Sequence, residues 1–346
     1  MTWSSTEIGA LARVVGQAPS VHNTQPWALQ ARAESVELFE RFEATLPRHD
    51  PHGRDRTISC GAALANLELG VRALGRAAEV ALLPDPARPS LVAGVRQTGR
   101  ANPTATDVER YAAIFRRHSY RGPFSLHTVS PAASHELATA ATEPGVQARV
   151  IQPRTEAAVL AKLFDHAAEV FRGDPAYQRE LSSWVFEPSD TTVPWGGLVR
   201  ADTHIPDIVT LTERLMREGT LMLLTPGDSR LDHLLAGAAM QRVWLTAITR
   251  GMVASVLTQP LHLPEIRSGL IELLGLAGYP QLFLRVGHPV HAEEPEAVLT
   301  GDSRAVHVSS SRTATGAMAG DEALSTSSTV RNAASRGRLG DVWNDE

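Results

Sequence analysis

The sequence predicts an α+β fold in which helices alternate with short strands, and two observations set its layout. The first is a pair of long helices, Ile58 to Leu74 and Leu231 to Arg250, which carry apolar residues at helical spacing and occupy equivalent places in the chain. Each leads into a glycine, Gly75 or Gly251. The second is the spread of strand-like runs around them. Ala28 to Ala31, Val36 to Phe39, Ala78 to Leu82 and Leu91 to Arg96 surround the first helix. Gln147 to Gln152, Leu221 to Leu224 and Gln281 to Val286 surround the second. Further helices are expected at Thr6 to Gln17, Asp107 to Arg117, Ala132 to Ala141 and Arg154 to Phe171.

Composition narrows the function classes. A chain of 346 residues with 43% hydrophobic and 21% charged residues has the make-up of a soluble globular protein with an ample core. Net charge of −5 gives no electrostatic reason to bind nucleic acid or an anionic membrane, so neither partner is expected. Lys162 is the only lysine, which excludes a phosphate loop ending in Gly-Lys-Ser/Thr. The single cysteine, Cys60, cannot form an internal disulfide and reads as a small buried side chain on a helix. No apolar run reaches the ~18 residues of a membrane span, and the first residues lack the pattern of a secretory leader. A cytoplasmic location is expected.

Two short segments carry the chemistry. "APSVHNTQPW" (Ala18 to Trp27) is a loop stiffened by Pro19 and Pro26, with Ser20 and Asn23 as short hydrogen-bonding groups; Gln25, Pro26 and Trp27 suit an anchor to the following sheet. "RRHSYRGPF" (Arg116 to Phe124) sets Arg117, Ser119 and Arg121 at alternate positions, on one side of an extended segment. Planar guanidinium forks in that arrangement grip phosphate oxygens. Elsewhere, "RHDPHGRD" (Arg48 to Asp55) holds two histidines without the spacing of a zinc site. It reads as a solvated loop, and no metal is expected. Ser182 to Asp207 reads as a long ordered loop rich in Pro, Gly and Trp, and the tail from about Val306 as mostly disordered.

Together the two segments resemble the two halves of the flavin-mononucleotide site of the nitroreductase family, in reversed order. In that family an Arg-rich segment opens the chain and the Pro-Ser loop follows; here the loop comes first. The reversed order and the wording "APSVHNTQPW" resemble the Acg-type members, in which two nitroreductase-like units are fused. The resemblance covers roughly residues 6 to 305. It implies a nitroreductase-like fold of two pseudo-symmetric halves, each a mainly antiparallel sheet flanked by helices, mimicking a dimer in one chain. Residues 1–105 would form the first half and 106–305 the second, with a lid at 182–207 and a tail at 306–346.

The resemblance also implies one FMN per chain. It assigns Pro19, Ser20, Val21, Asn23, Arg117, His118, Ser119 and Arg121 to the cofactor, the backbone near Thr258 and Gln259 to flavin N5, and Arg304 to the phosphate. The expected activity is reduction of nitro- or quinone-like acceptors by NAD(P)H, with no catalytic side chain. The alternative is a non-catalytic protein that holds FMN beneath a lid. The chain would be a monomeric pseudo-dimer.

Overall fold

The computed structural model describes residues 2–184, 199–200 and 205–290 and the backbone of 308–310, all within a unit spanning residues 1–311. The first half contains α1 (Ser5–Gly16), β1 (Trp27–Ala31), β2 (Ser35–Glu40), α2 (Arg54–Ala73), β3 (Arg76–Leu82) and β4 (Leu91–Arg100). The second contains α3 (Ala105–Ile114), α4 (Pro131–Thr139), β5 (Gln147–Val150), α5 (Pro153–Gly173), α6 (Pro175–Trp184), α7 (Ile208–Arg217), β6 (Gly219–Thr225), α8 (Arg230–Thr249), β7 (Val253–Leu257), α9 (Pro264–Leu273) and β8 (Tyr279–Gly287). A last strand, β9 (Val308–Ser310), lies beside β1.

Local chemistry starts these elements. Ser4, Thr104 and Ser229 each accept from the backbone three residues on, and Glu7, Asp107 and Asp232 reciprocate, forming capping boxes at α1, α3 and α8. Leu74 closes α2, after which Gly75 turns the chain at φ 73°; Gly251 does the same after α8 at φ 70°.

The two sheets share one topology. Their strand orders are β3-β4-β2-β1-β9 and β5-β6-β8-β7. Matching β1, β2, β3 and β4 to β5, β6, β7 and β8 makes the two four-stranded antiparallel cores identical in order, with α2 and α8 in the same place between the second and third strands. Residues match as well: Arg54, Gly61, Ala73 and Gly75 correspond to Arg230, Gly237, Thr249 and Gly251 at one constant shift. The halves are pseudo-symmetric, as expected.

Their interface is the α2–α8 pair. Both helices are buried on nearly every face, as helices enclosed by sheets on either side must be. They meet at glycines. A Cβ on Gly61 would lie 2.0 Å from the Leu234 carbonyl oxygen, and one on Gly237 would lie 1.9 Å from that of Ile58. A buried polar bridge crosses the contact: Gln241 donates to Asn66 Oδ1 (2.8 Å), and Asn66 donates to the Val14 carbonyl (2.7 Å). Cys60 is buried on α2, as expected, with its thiol on the Pro26 carbonyl.

Three sequence expectations are corrected. The third helix ends at Ile114, not Arg117: Phe115 and Arg116 form a turn, and the chain leaves the helix at Arg117. Helices α6 and α7 were not foreseen; α7 opens at an Asp207 cap immediately after the loop read at Ser182 to Asp207. Residues 308–310 of the supposedly disordered tail pair in parallel with Leu29 to Ala31. The remainder of the tail lies outside the described residues.

Gly61→Ala and Gly237→Ala are each expected to force the helices apart, costing about 3 kcal/mol or more. Denaturant unfolding should show this, whereas Gly9→Ala, whose Cβ meets nothing within 4 Å, should be neutral or stabilising.

Candidate functional site

The first motif folds into a strained loop between α1 and β1. His22 (φ 46°), Asn23 (φ 55°) and Gln25 (φ 45°) are all left-handed without being glycine. Each such residue costs roughly 1 kcal/mol, so the loop must be held by its neighbours. The holding bonds are present. Gln25 N–H donates to Ser20 Oγ (3.0 Å), Val21 N–H donates to Ser59 Oγ of α2 (3.2 Å), and Thr24 Oγ1 donates to the Val21 carbonyl (2.9 Å). The buried Trp27 anchors the loop to β1, as the sequence suggested, whereas Gln25 bonds the end of α1 rather than the sheet. Asn23 is exposed at the tip, while Pro19, Ser20 and Val21 are half-buried.

The second motif runs along β7. Tyr120 N–H donates to the Ala254 carbonyl (3.0 Å), and Ser119 is paired with Ala254 in a parallel bridge. His118, Ser119 and Arg121 are exposed. Arg117 turns inward: its guanidinium lies 4.7 Å above the Trp244 ring and donates to the Gln17 carbonyl (3.2 Å), one residue before the first motif. Among the described residues no carboxylate pairs with it, and its buried Nε has no partner. Burial lowers its pKa to about 10, so it remains a cation near neutrality. Arg121 in turn acts electrostatically on His22 of the first motif. Segments a hundred residues apart in sequence thus face each other across one site.

The third element is the turn after β7. The Thr258 hydroxyl donates to Asp55 Oδ2 (2.5 Å), and the Gln259 amide, buried, donates to the Tyr177 hydroxyl (2.5 Å). Both side chains are therefore engaged with protein, leaving the backbone of this turn as the part that can face a ligand. Around Asp55 the structure assembles a cluster that the sequence reading missed. His49, Asp50 and Asp55 are 2%, 4% and 2% exposed, so "RHDPHGRD" is not a solvated loop; only Arg48 at its start and Pro51 and His52 at its tip face water. Gly53, with a left-handed φ of 70°, turns the chain inward there, and nothing in the local sequence signals it. Burial opposes ionisation of Asp55, but His262, His49 and Arg54 outweigh it and hold the carboxyl well below the usual range. His22, edge-on to His49 at 4.5 Å, is lowered to about 3, chiefly by burial and then by His49.

The structure thus brings together Pro19, Ser20, Val21, Asn23, Arg117, Ser119, Arg121, Thr258 and Gln259 around one region. His118 sits on the exposed side of its segment, with Nδ1 near the Arg116 carbonyl. Arg304 and most of the 182–207 loop lie outside the described residues. No helix among the described residues is long and apolar enough to cross a membrane.

The chain is thus a pseudo-symmetric α+β protein with its two motif loops opposed, and comparison gives the family. A Mycobacterium tuberculosis protein named "Putative NAD(P)H nitroreductase" is 33% identical over 294 residues, covering 80% of this chain and 84% of its own. The M. tuberculosis protein named "Putative NAD(P)H nitroreductase acg" is 29% identical, covering 83% and 91%. A solved structure, a putative nitroreductase from Anabaena variabilis, covers 84% of this chain and 90% of its own at 10% identity and a TM-score of 0.49. No protein-family profile matches the chain. The chain belongs to the nitroreductase family, in its Acg-type branch.

Among the described residues Arg117 is a sheltered cation without a counter-charge, which costs stability. Arg117→Met is expected to leave the flavin-free protein as stable as the parent, or more so, by thermal unfolding. A loss above about 1.5 kcal/mol would make Arg117 a structural residue.

Proposed function

We propose that the protein binds one FMN between its two motif loops and works as an NAD(P)H-dependent nitroreductase-type oxidoreductase on nitro- or quinone-like acceptors. The observation that carries this reading is Arg117, an inward cation with no carboxylate partner among the described residues, hydrogen-bonded to the residue just before the opposite motif. Such a group suits a phosphate. Arg117 would grip that phosphate with Arg121, Ser119 would hydrogen-bond a phosphate or ribityl oxygen, and the Pro19 to Asn23 loop would frame the ring.

Bound FMN would supply the two-electron chemistry, taking hydride from NAD(P)H and passing electrons to the acceptor. The chain's own part is to bind and orient. The strained loop is fixed before any ligand arrives, by Ser59 beneath it and by Gln25 at its end, so little further ordering is required on binding. The turn at Thr258 is fixed in the same way by Asp55. Arg304 and the 182–207 lid belong to this proposal on the family resemblance alone, and because the two halves already replace a dimer, a monomer is expected.

The purified protein should be yellow and release FMN, one per chain. Arg117→Ala and Arg121→Ala should each weaken FMN binding by roughly ten- to a hundredfold, the loss of one charge-assisted contact. Full flavin content after extensive dialysis of both variants would remove the phosphate assignment. Anaerobic NADPH should bleach the flavin absorbance and a nitroaromatic or quinone should restore it. Bound FMN that neither NADH nor NADPH reduces would instead favour a flavin-holding protein.

A further inference from the structure

We propose that His49, Asp55 and His262 form a binding site for one divalent transition-metal ion of the zinc class. The three donors come from separate places in the chain: the loop before α2, the first turn of α2, and the turn after β7 in the other half. His262 Nε2 lies 3.0 Å and His49 Nε2 3.4 Å from the same oxygen, Asp55 Oδ2, and the three donor atoms all lie within 4.8 Å of one another. Metal bonds of about 2.1 Å in a tetrahedral site set neighbouring ligands roughly 3.4 Å apart, so the Asp55 oxygen already stands at coordination distance from both imidazoles.

The surroundings are those of a supported ligand set. His49 Nδ1 is 3.3 Å from the Tyr177 hydroxyl, which the Gln259 amide fixes in turn; Arg54 donates to Asp55 Oδ1 at 3.1 Å, and Oδ2, which also accepts the Thr258 hydroxyl, faces the two imidazoles. Second partners of this kind set the orientation of ligating imidazoles and carboxylates. His49 Nε2, by contrast, is buried and makes no hydrogen bond among the described residues, although it faces the carboxylate. Its distance of 3.4 Å from Asp55 Oδ2 is long for a hydrogen bond and matches the separation of two ligands on one ion. His22 packs edge-on against His49, and its Nδ1 is likewise buried and unbonded, making it the next donor available. Two imidazoles and one carboxylate suit zinc, cobalt or ferrous iron and do not suit calcium or magnesium.

Such an ion would staple the first half to the second. The ligand set includes neither Arg117 nor Arg121, but Asp55 also holds the Thr258 turn of the proposed flavin site, so zinc and flavin are followed separately. The test uses tag-free full-length protein, stripped with a chelator and titrated with Zn2+ by calorimetry, with flavin content read on the same samples. One zinc per chain is expected, with a raised Tm. His262→Ala and Asp55→Asn should each weaken binding at least about tenfold and remove the Tm gain. His262 is only partly buried, so its variant should fold even if that of Asp55 does not. Absence of stoichiometric zinc binding, or binding that His262→Ala leaves unchanged, overturns the proposal whatever the flavin content. Zinc binding in flavin-free protein supports it even where the flavin reading fails.

Discussion

Everything in the molecule is referred to the crossing of α2 and α8, where two glycines let one backbone touch the other. At Gly61 and Gly237 a methyl group would lie about 2 Å from a carbonyl oxygen of the facing helix, so the distance between the helices is fixed by the absence of side chains rather than by their packing. Each helix carries its own sheet. The distance between sheets, and between any residues that project from the two halves, follows from that one contact.

The candidate site lies along the seam that this contact creates. Ser59 and Asp55, on the first turns of α2, hold the Val21 backbone and the Thr258 hydroxyl, so one helix end positions a loop from its own half and a turn from the other. This explains how three left-handed residues persist in the first motif. The strain there is opposed by bonds to elements the core already fixes, and a loop preorganised in this way has little left to lose when a ligand binds.

The sequence was most informative where a pattern had a local cause. The long helices and their terminal glycines, the anchor at Trp27 and the buried Cys60 were all legible, because periodicity, capping and residue size act over a few neighbours. The pairing of the two motifs was legible only through family resemblance, since nothing in either segment specifies a partner a hundred residues away. The His49–Asp55–His262 cluster was not legible at all. His262 sits in an apolar turn and His49 in a run of charges, and burial of that run depends on Gly53 bending it beneath Tyr177, which is a tertiary event. Helix α3 was overextended because Arg116 and Arg117 still bond to the Ala113 carbonyl, so the last turn looks helical from within.

The constant shift relating α2 to α8 makes Glu68 the counterpart of Trp244. On one side that position carries a carboxylate bonded to Arg242 (2.9 Å); on the other it carries an indole beneath Arg117. A homodimer could not hold both, because a single gene position would write the same residue into each copy. Joining the halves in one polypeptide lets the same place in the architecture neutralise an arginine on one side and leave an arginine's charge available on the other. Symmetry persists in the backbone, while the side chains have become free to specialise.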